Sequence, residues 1–176
     1  MASSTLFAAT TDPDEPDMSM ELGNPFAQID VLLSHNVSLV IIGGYAVIYH
    51  GYVRSTEDVD IIFERNGENE LRLFAALSEL DAFWIGEELD PETGIELTFP
   101  VTPDYVAKTH LMMLGTRFGY LDVFDFVPGL PAAHVSELIR TAELNTGRPF
   151  VSLDWLKRMK QVSNRPKDRD DFQQLP

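Results

Sequence analysis

The stretch that decides the fold runs from residue 38 to residue 63 and reads SLVIIGGYAVIYHGYVRSTEDVDIIF. Residues 38–42 predict a short buried strand, because a brief apolar run that ends at turn residues is typical of one. Gly43-Gly44 then turns the chain into a helix over about residues 45–50. Residues 58–63 predict the next strand. This order favours the α/β or α+β class, with a small mixed β-sheet flanked by helices.

The rest of the chain continues this alternation of helices and strands. Asn24-Pro25 is a typical helix start, with Asn as the cap and Pro at the first helical position. We find no internal repeat and predict a single domain over residues 24–176, with C-terminal helices from about residue 152. Residues 1–23 are acidic and contain two prolines. They predict a solvated arm or, alternatively, a segment that docks on a partner.

Composition and charge limit the kinds of ligand. The 176 residues contain no cysteine, so any metal must be held by oxygen or imidazole ligands. The net charge is −15, and six of the thirteen basic residues lie between Lys157 and Arg169. The protein as a whole should therefore repel polyanions. This excludes a large nucleic-acid footprint but leaves room for a compact nucleotide or a single RNA end.

The uncharged run from residue 31 to residue 53 resembles a membrane span in length only. Polar residues at 34–36 and the pair Gly43-Gly44 interrupt it, so it does not predict a continuous spanning helix. The N-terminus has neither the basic start nor the apolar centre of a secretion signal. We therefore expect a cytoplasmic protein with no membrane partner.

Asp58 and Asp60 form the most informative pair of residues. Residues two apart in a strand share a face, so the two carboxylates project together while Val59, Ile61 and Phe63 point to the other face. Like charges side by side are unfavourable unless a cation neutralises them. Mg²⁺, which takes one or two carboxylates plus substrate phosphates, suits such a pair. The alternative is a solvated strand end with two ordinary acids.

The Gly43-Gly44 turn precedes the pair. A strand that turns directly into a helix brings backbone N–H groups and the helix N-terminus toward an anion. The next glycine is Gly51, so the spacing does not match the dinucleotide-binding fingerprint. The alternative is an ordinary tight turn that happens to use two glycines.

Taken jointly, these motifs resemble the signature of the polymerase-beta-like nucleotidyltransferase superfamily. The similarity is to its minimal, abortive-infection-toxin branch. It begins with the run GGYAV at residues 43–47 and continues through HG at 50–51 to Asp58-Val59-Asp60. Later matches are GYLD at residues 119–122 and a C-terminal segment that contains RPKD at residues 165–168. The resemblance covers roughly residues 31–175.

This resemblance implies a nucleotidyltransferase fold and a metal-dependent reaction. A nucleoside monophosphate would pass from a nucleoside triphosphate to an acceptor hydroxyl. The implied metal ligands and catalytic residues are Asp58, Asp60 and Asp122, which would hold two Mg²⁺ ions, with Mn²⁺ as a substitute. The implied nucleotide-binding residues are Gly43, Gly44, Tyr45, Arg54, Thr56, Lys160, Arg165 and Lys167. Tyr45 stands where many superfamily members carry Ser.

Two residues compete for the role of the third acid. Asp122 and Asp125 lie three positions apart, so in a strand they face opposite sides. Periodicity cannot choose between them, whereas the family pattern and the preceding Gly119 favour Asp122.

The basic residues also have ordinary interpretations. Arg54 could lie near phosphate, as the geometry of a guanidinium suits. It could equally pair at the surface with Glu57 or Asp58. Lys160 and Lys167 could belong to exposed helix faces, with Lys167 pairing with a residue one turn later.

The acceptor remains open at this stage. The family branch implies a toxin of a toxin–antitoxin system, with tRNA or a protein as acceptor and an antitoxin protein as partner. The strongly negative chain instead favours a small cationic acceptor, of the kind that antibiotic nucleotidyltransferases use. A third hypothesis is a relative that binds a nucleotide or a partner without catalysis.

Overall fold

A computed structural model describes residue 24 and residues 26–176 of the chain. The predicted acidic arm, residues 1–23, and Pro25 lie outside the described residues. Eight strands are present in the described part: β1 (Leu39–Ile41), β2 (Asp58–Phe63), β3 (Phe83–Leu89), β4 (Glu96–Pro100), β5 (Leu111–Thr116), β6 (Gly119–Phe124), β7 (Glu143–Asn145) and β8 (Arg148–Phe150).

These strands form one mixed sheet in the order β4-β3-β5-β6-β2-β1-β8-β7. The pairs β2/β6 and β1/β8 are parallel, and the other neighbours are antiparallel. The predicted class, a mixed sheet flanked by helices, is confirmed. The acidic strand β2 lies near the middle of the sheet, between β6 and β1, which fixes which side chains can approach its carboxylates.

The described helices are α1 (Ala27–Ser34), α2 (Gly43–Tyr49), α3 (Gly67–Glu79), α4 (Pro103–Lys108), α5 (Val135–Arg140), α6 (Leu153–Ser163) and α7 (Pro166–Gln174). Helix α1 packs on α3, and α3 on α4. Helix α2 packs on β2 and on α6, and α6 packs on α7. The C-terminal helix pair is thereby brought to the acidic strand. No described helix combines the length and apolarity that crossing a membrane requires.

Strand β2 shows why this segment anchors the core. Val59, Ile61 and Phe63 are almost fully buried, as the alternation predicts, and Ile62 is buried as well. Both faces of the strand are therefore covered at its C-terminal end. Toward its start Asp58 is exposed and Asp60 is partly exposed. The strand thus changes from buried to solvent-accessible at Asp58 and Asp60.

Three short elements were not predicted from the sequence. Helix α4 is capped by the side chain of Thr102, which accepts a hydrogen bond from the N–H of Tyr105, and Pro103 is its first residue. Strands β7 and β8 have three residues each, too few for a visible period. β8 is placed by its parallel pairing with β1, where Phe150 lies beside Ile41.

Candidate active site

The three candidate carboxylates lie on one face of two neighbouring strands. The parallel register of β2 and β6 sets Asp60 beside Asp122 and Asp58 beside Tyr120. Paired residues on adjacent strands are roughly 5 Å apart and project to the same side. Asp58, Asp60 and Asp122 therefore share one side of the sheet, as the resemblance implies.

Asp125 lies in a different environment. Its buried carboxylate accepts hydrogen bonds from Nε of Arg65 and from Nδ1 of His110, the latter at 2.7 Å. The same guanidinium also donates to Glu70 and to backbone carbonyls at the end of α4. Asp125 thus holds α4 against the sheet, whereas Asp122 stands beside the acidic pair.

Burial and mutual repulsion perturb two of these carboxylates. Partial burial, followed by the charges of Asp60 and Asp58, raises the pKa of Asp122 to about 6. Burial and the charge of Asp58 also raise the pKa of Asp60, while Lys160, the Gly44 N–H and Arg165 oppose that rise. The site is therefore short of positive charge next to the carboxylates.

The Gly43-Gly44 turn fits closely around two side chains. Gly43 has a φ of +63°, and the carboxylate of Asp60 lies against its Cα, where a Cβ would overlap it. Gly44 is packed against the side chain of Thr56 and faces Arg54 at the point where its own Cβ would lie. Its N–H interacts with the carboxylate of Asp60. The turn needs glycine twice because of close approach, and at Gly43 also because of the positive φ.

We expect Gly43→Ala to destabilise the fold and to displace Asp60. A left-handed φ alone costs an Ala about 1 kcal/mol, and the overlap with the Asp60 carboxylate adds to it. Gly147→Ala is the matched control, because Gly147 has a φ of +82° with open space around it. Urea unfolding should show a clearly larger loss for Gly43→Ala. Equal losses for the two variants would contradict the close packing at Gly43.

A cleft of about 310 Å³ opens over the carboxylates. It brings together residues from β2, β6, the glycine turn and the two C-terminal helices, which lie far apart in the sequence. The predicted site residues that line it are Gly43, Gly44, Arg54, Thr56, Asp58, Asp60, Asp122, Lys160, Arg165 and Lys167. Carboxylates and basic groups thus share a single cavity.

Tyr45 does not line this cleft. Its ring packs edge to face on Phe26, with the ring centroids 5.2 Å apart. Its hydroxyl has a raised pKa because of burial and the charge of Asp58, so the ring lies at the edge of the acidic site. The nucleotide contact that the family resemblance implies for Tyr45 stays a prediction.

Lys160 is buried, so the alternative that it belongs to an exposed helix face is wrong. Its side chain is 8% exposed, and its Nζ donates to Asp168 at 2.7 Å and contacts Asp171 at 2.8 Å. These two acids of α7 are themselves 1% and 0% exposed. Asp168 also accepts hydrogen bonds from Ser163 and from Nε of Arg165, both at 2.6 Å. Its basic partners hold the pKa of Asp168 well below the usual range, despite burial.

Arg54 pairs with neither Glu57 nor Asp58. Its Nε and Nη2 donate to the two oxygens of Asp171, at 2.7 and 3.1 Å. Asp171, the residue one turn after Lys167, pairs with Arg54 and Lys160 instead, so the alternative in which Lys167 pairs with it is wrong. One feature of the sequence could have indicated that Asp168 and Asp171 bind the basic residues together. Their spacing places both acids on one face of α7.

The donor set suits a hard divalent cation, but the carboxylates do not form a ready-made cage. All three candidate ligands are carboxylates, the group that Mg²⁺ and Mn²⁺ take in proteins. After burial, the charges of neighbouring carboxylates raise the pKa of Asp60 and of Asp122, and a cation bound there would relieve this repulsion. Within the described residues no group of three Asp, Glu, His or Cys side chains already converges as metal ligands. The residues therefore fit a cation by chemistry and charge. The carboxylate of Asp60 points toward the glycine turn and would have to rotate to bind a cation together with the other two.

The pKa of Asp122 predicts a pH-dependent stability of the metal-free protein. The folded state holds this proton more tightly than the unfolded state, so the resulting stability is present at low pH. It is lost as the pH rises through about 6. We expect Asp122→Asn, measured in EDTA, to gain stability relative to wild type between pH 5 and pH 7.5. The gain is about 1 kcal/mol after solvent screening is allowed for.

Asp90→Asn is the control for this pH series. Backbone N–H groups of Thr93 and Glu92 lower the pKa of Asp90, so its titration lies below the tested range. Its stability difference from wild type should stay constant between pH 5 and pH 7.5. A constant difference for Asp122→Asn as well would show that Asp122 is not perturbed.

The fold and the site define an α/β protein with a cleft that contains three carboxylates and a basic wall. The basic wall consists of Lys160, Arg165 and Lys167. No family model and no curated protein matches the chain. Among solved structures it is similar to the antibiotic-resistance factor ANT(2'')-Ia, known from a solution structure. The identity is 20%, the TM-score is 0.44, and the match covers 90% of this chain and 83% of that chain. A likeness this distant carries no conclusion about the activity of this chain.

Proposed function

We propose that the protein is a metal-dependent nucleotidyltransferase. The observation that carries the proposal is the β2–β6 register, which sets Asp58, Asp60 and Asp122 side by side in a cleft. Lys160 and Arg165 line the same cleft and are near enough to Asp60 to lower its pKa. Carboxylates on one wall and cations on the other suit a metal-bound polyphosphate better than they suit a simple anion or a simple cation.

The carboxylates would hold the metal. Asp58, Asp60 and Asp122 would bind Mg²⁺ or Mn²⁺, with two ions proposed from the family resemblance. When bound, the ions would neutralise the charge that develops on the phosphate oxygens and would align the reacting atoms. The partial burial of Asp60 limits the competition from water for this site.

The basic wall would bind the triphosphate. Arg165 is tied to Asp168 through Nε, which leaves its remaining guanidinium nitrogens for phosphate oxygens. Lys167 is exposed at the mouth of the cleft, and Lys160 supplies a fixed charge deeper inside. Asp168 and Asp171 hold Lys160 in position, and Asp168 also holds Arg165, which lowers the entropic cost of ordering these two groups around a ligand.

The proposed reaction transfers a nucleoside monophosphate. The acceptor hydroxyl oxygen forms a bond to the α-phosphorus, and the bond from the α-phosphorus to the bridging oxygen of the β-phosphate breaks. Pyrophosphate leaves. The hydroxyl proton passes to a carboxylate, and the family resemblance implies Asp122 for this role.

The biological setting is proposed from the family resemblance alone. It favours a toxin-like enzyme that modifies tRNA or a protein and that an antitoxin protein restrains. The net charge of −15 separately favours a small cationic acceptor. A single labelling experiment distinguishes these acceptors, because the label from the α-phosphate ends up on RNA, on protein or on the small compound.

The test is isotope transfer from nucleoside triphosphates. Wild-type protein with Mg²⁺ should move label from α-labelled, but not γ-labelled, triphosphate to RNA, protein or a small hydroxyl compound. EDTA should abolish transfer, and pyrophosphate should appear in equal amount. Triphosphate binding by calorimetry with no transfer to any acceptor would support the non-catalytic alternative instead.

A further inference from the structure

A second, smaller cavity adjoins the carboxylates on the side of β5 and β3. It measures about 270 Å³ and is lined by Asp58, Ile85, Met113, Leu114, Gly115, Tyr120 and Asp122. It shares Asp58 and Asp122 with the first cleft, called the basic cleft because Lys160, Arg165 and Lys167 line it, and no other described residue lines both cavities. In the sheet order β5 follows β6 on the side away from β2, so the two cavities flank the acids from opposite directions.

The floor of this second cavity is an uncovered apolar face of the sheet. The antiparallel register sets Met113 beside Asp122 and Gly115 beside Tyr120, so these side chains share the face of the acids. Gly115 in turn pairs with Phe83, two residues before Ile85 on the same face. Met113, Tyr120 and Ile85 are 65%, 57% and 50% exposed. These three exposed side chains lie on three neighbouring strands beside the carboxylates, and together they are called the apolar row.

The charges around this face are negative. Of the described residues that line the cavity, none is Lys or Arg, and two are Asp. Glu87 and Glu88 are exposed farther along β3. Such a surface repels the phosphates of a nucleic acid and attracts cationic groups.

We propose that this face binds the acceptor, and that the acceptor is a basic polypeptide segment which presents a hydroxyl among apolar residues. The inference rests on the proposed function, because it takes the basic cleft as the triphosphate site and so leaves the other side of Asp122 to the acceptor. A flat row of Met, Tyr and Ile spread over three strands is typical of protein interfaces, in which Met and aromatic residues are enriched. The negative charge around the row selects a cationic partner.

The transfer step is that of the proposed reaction with a peptide hydroxyl as the nucleophile. The oxygen of a Ser, Thr or Tyr side chain forms a bond to the α-phosphorus, and the bond to the bridging oxygen breaks. Pyrophosphate leaves on the side of the basic cleft, and the hydroxyl proton passes to the carboxylate of Asp122, as in the proposed reaction. The product is a phosphodiester between nucleoside and protein.

The test uses defined peptides and variants of the apolar face. The probes are short peptides in which one Ser, Thr or Tyr lies between apolar residues, flanked by Lys and Arg, and the same peptides flanked by Glu. Total tRNA and a small cationic hydroxyl compound serve as competing acceptors. Ile85→Arg and Ile85→Gln alter the face on β3, which β5 separates from Asp122 on β6. Leu144→Arg is the control, because Leu144 is 73% exposed on β7, at the far edge of the sheet.

We expect α-phosphate label on the basic peptides and much less on the acidic ones. Ile85→Arg should raise KM for the basic peptide about tenfold, the effect of losing roughly 1.4 kcal/mol of binding. Ile85→Gln should raise it less, Leu144→Arg should leave it unchanged, and KM for the triphosphate should stay constant throughout.

Label on tRNA or the small cation but on no peptide would overturn the inference while leaving the proposed function intact. Transfer to peptides that Ile85→Arg does not affect would overturn it as well. Failure of the proposed function itself has a different signature: wild type transfers label to no acceptor at all, whether or not it binds the triphosphate.

Discussion

Asp60→Asn is expected to reduce transfer of α-phosphate label by about a thousandfold or more, while the protein stays folded. The loss follows because a carboxylate that neutralises and places the metal is removed, and electrostatic stabilisation of this kind is worth several kcal/mol in the transition state. Asn keeps an oxygen that can accept from the Gly44 N–H, so the turn is preserved. Asp58→Asn should have an effect of the same order.

Stability separates this loss from misfolding. Burial and the charge of Asp58 raise the pKa of Asp60, so neutralising the side chain removes repulsion. In EDTA at pH 7.5 the melting temperature of Asp60→Asn should equal or exceed that of wild type. Divalent cations should raise the melting temperature of wild type but not that of the variant.

Glu57→Gln is the control for the acidic strand. Glu57 is exposed, directly precedes Asp58, and lies outside the residues that line the cleft. Its activity should remain within about twofold of wild type, since an exposed charge in water contributes little. Asp60→Asn protein as active as Glu57→Gln would contradict the proposed metal site and with it the proposed function.

The second large effect is expected at Asp171, which should be needed for both stability and triphosphate affinity. Its carboxylate is fully buried and accepts from Arg54 while also contacting Lys160. Removing one partner of a buried charge network leaves other charges uncompensated and costs about 3–5 kcal/mol. Asp171→Asn should lower the free energy of unfolding by that amount in urea titrations. Where the variant folds, KM for the triphosphate should rise more than kcat falls.

Asp170→Asn provides the matched comparison on the same helix. Asp170 is exposed and accepts one hydrogen bond, from the hydroxyl of Tyr52 at 2.8 Å. Its loss should cost less than about 1 kcal/mol. If Asp171→Asn costs no more than Asp170→Asn, the buried network does not anchor the basic wall.

The local pattern of the sequence was enough for the acidic strand. Whether Asp58 and Asp60 share a face depends only on the two-residue period of a strand, and the buried Val59 and Ile61 confirm that period. The turn at Gly43-Gly44 and the helix after it are equally local. The mixed α/β class followed from the order of these elements.

Neighbour relations between distant segments could not be obtained in this way. The two-residue period places Asp122 and Asp125 on opposite faces of the segment. It does not say which of these faces also carries Asp58 and Asp60. The parallel register decides it by setting Asp122 beside Asp60, while Arg65 takes Asp125. The family resemblance favoured the same residue, but from a motif and not from geometry.

The partners of the basic residues were also beyond the sequence. The sequence offers Glu57 and Asp58 as surface partners for Arg54, yet Arg54 binds Asp171, 117 positions away. An exposed position was one alternative for Lys160, which is instead buried between two acids. The physical reason is that buried charges are paired wherever packing brings partners together, whatever their separation in the chain. The sequence by itself determined the acidic pair and its strand, and only the tertiary structure decided the third acid beside it, the basic wall opposite, and the apolar face on its other side.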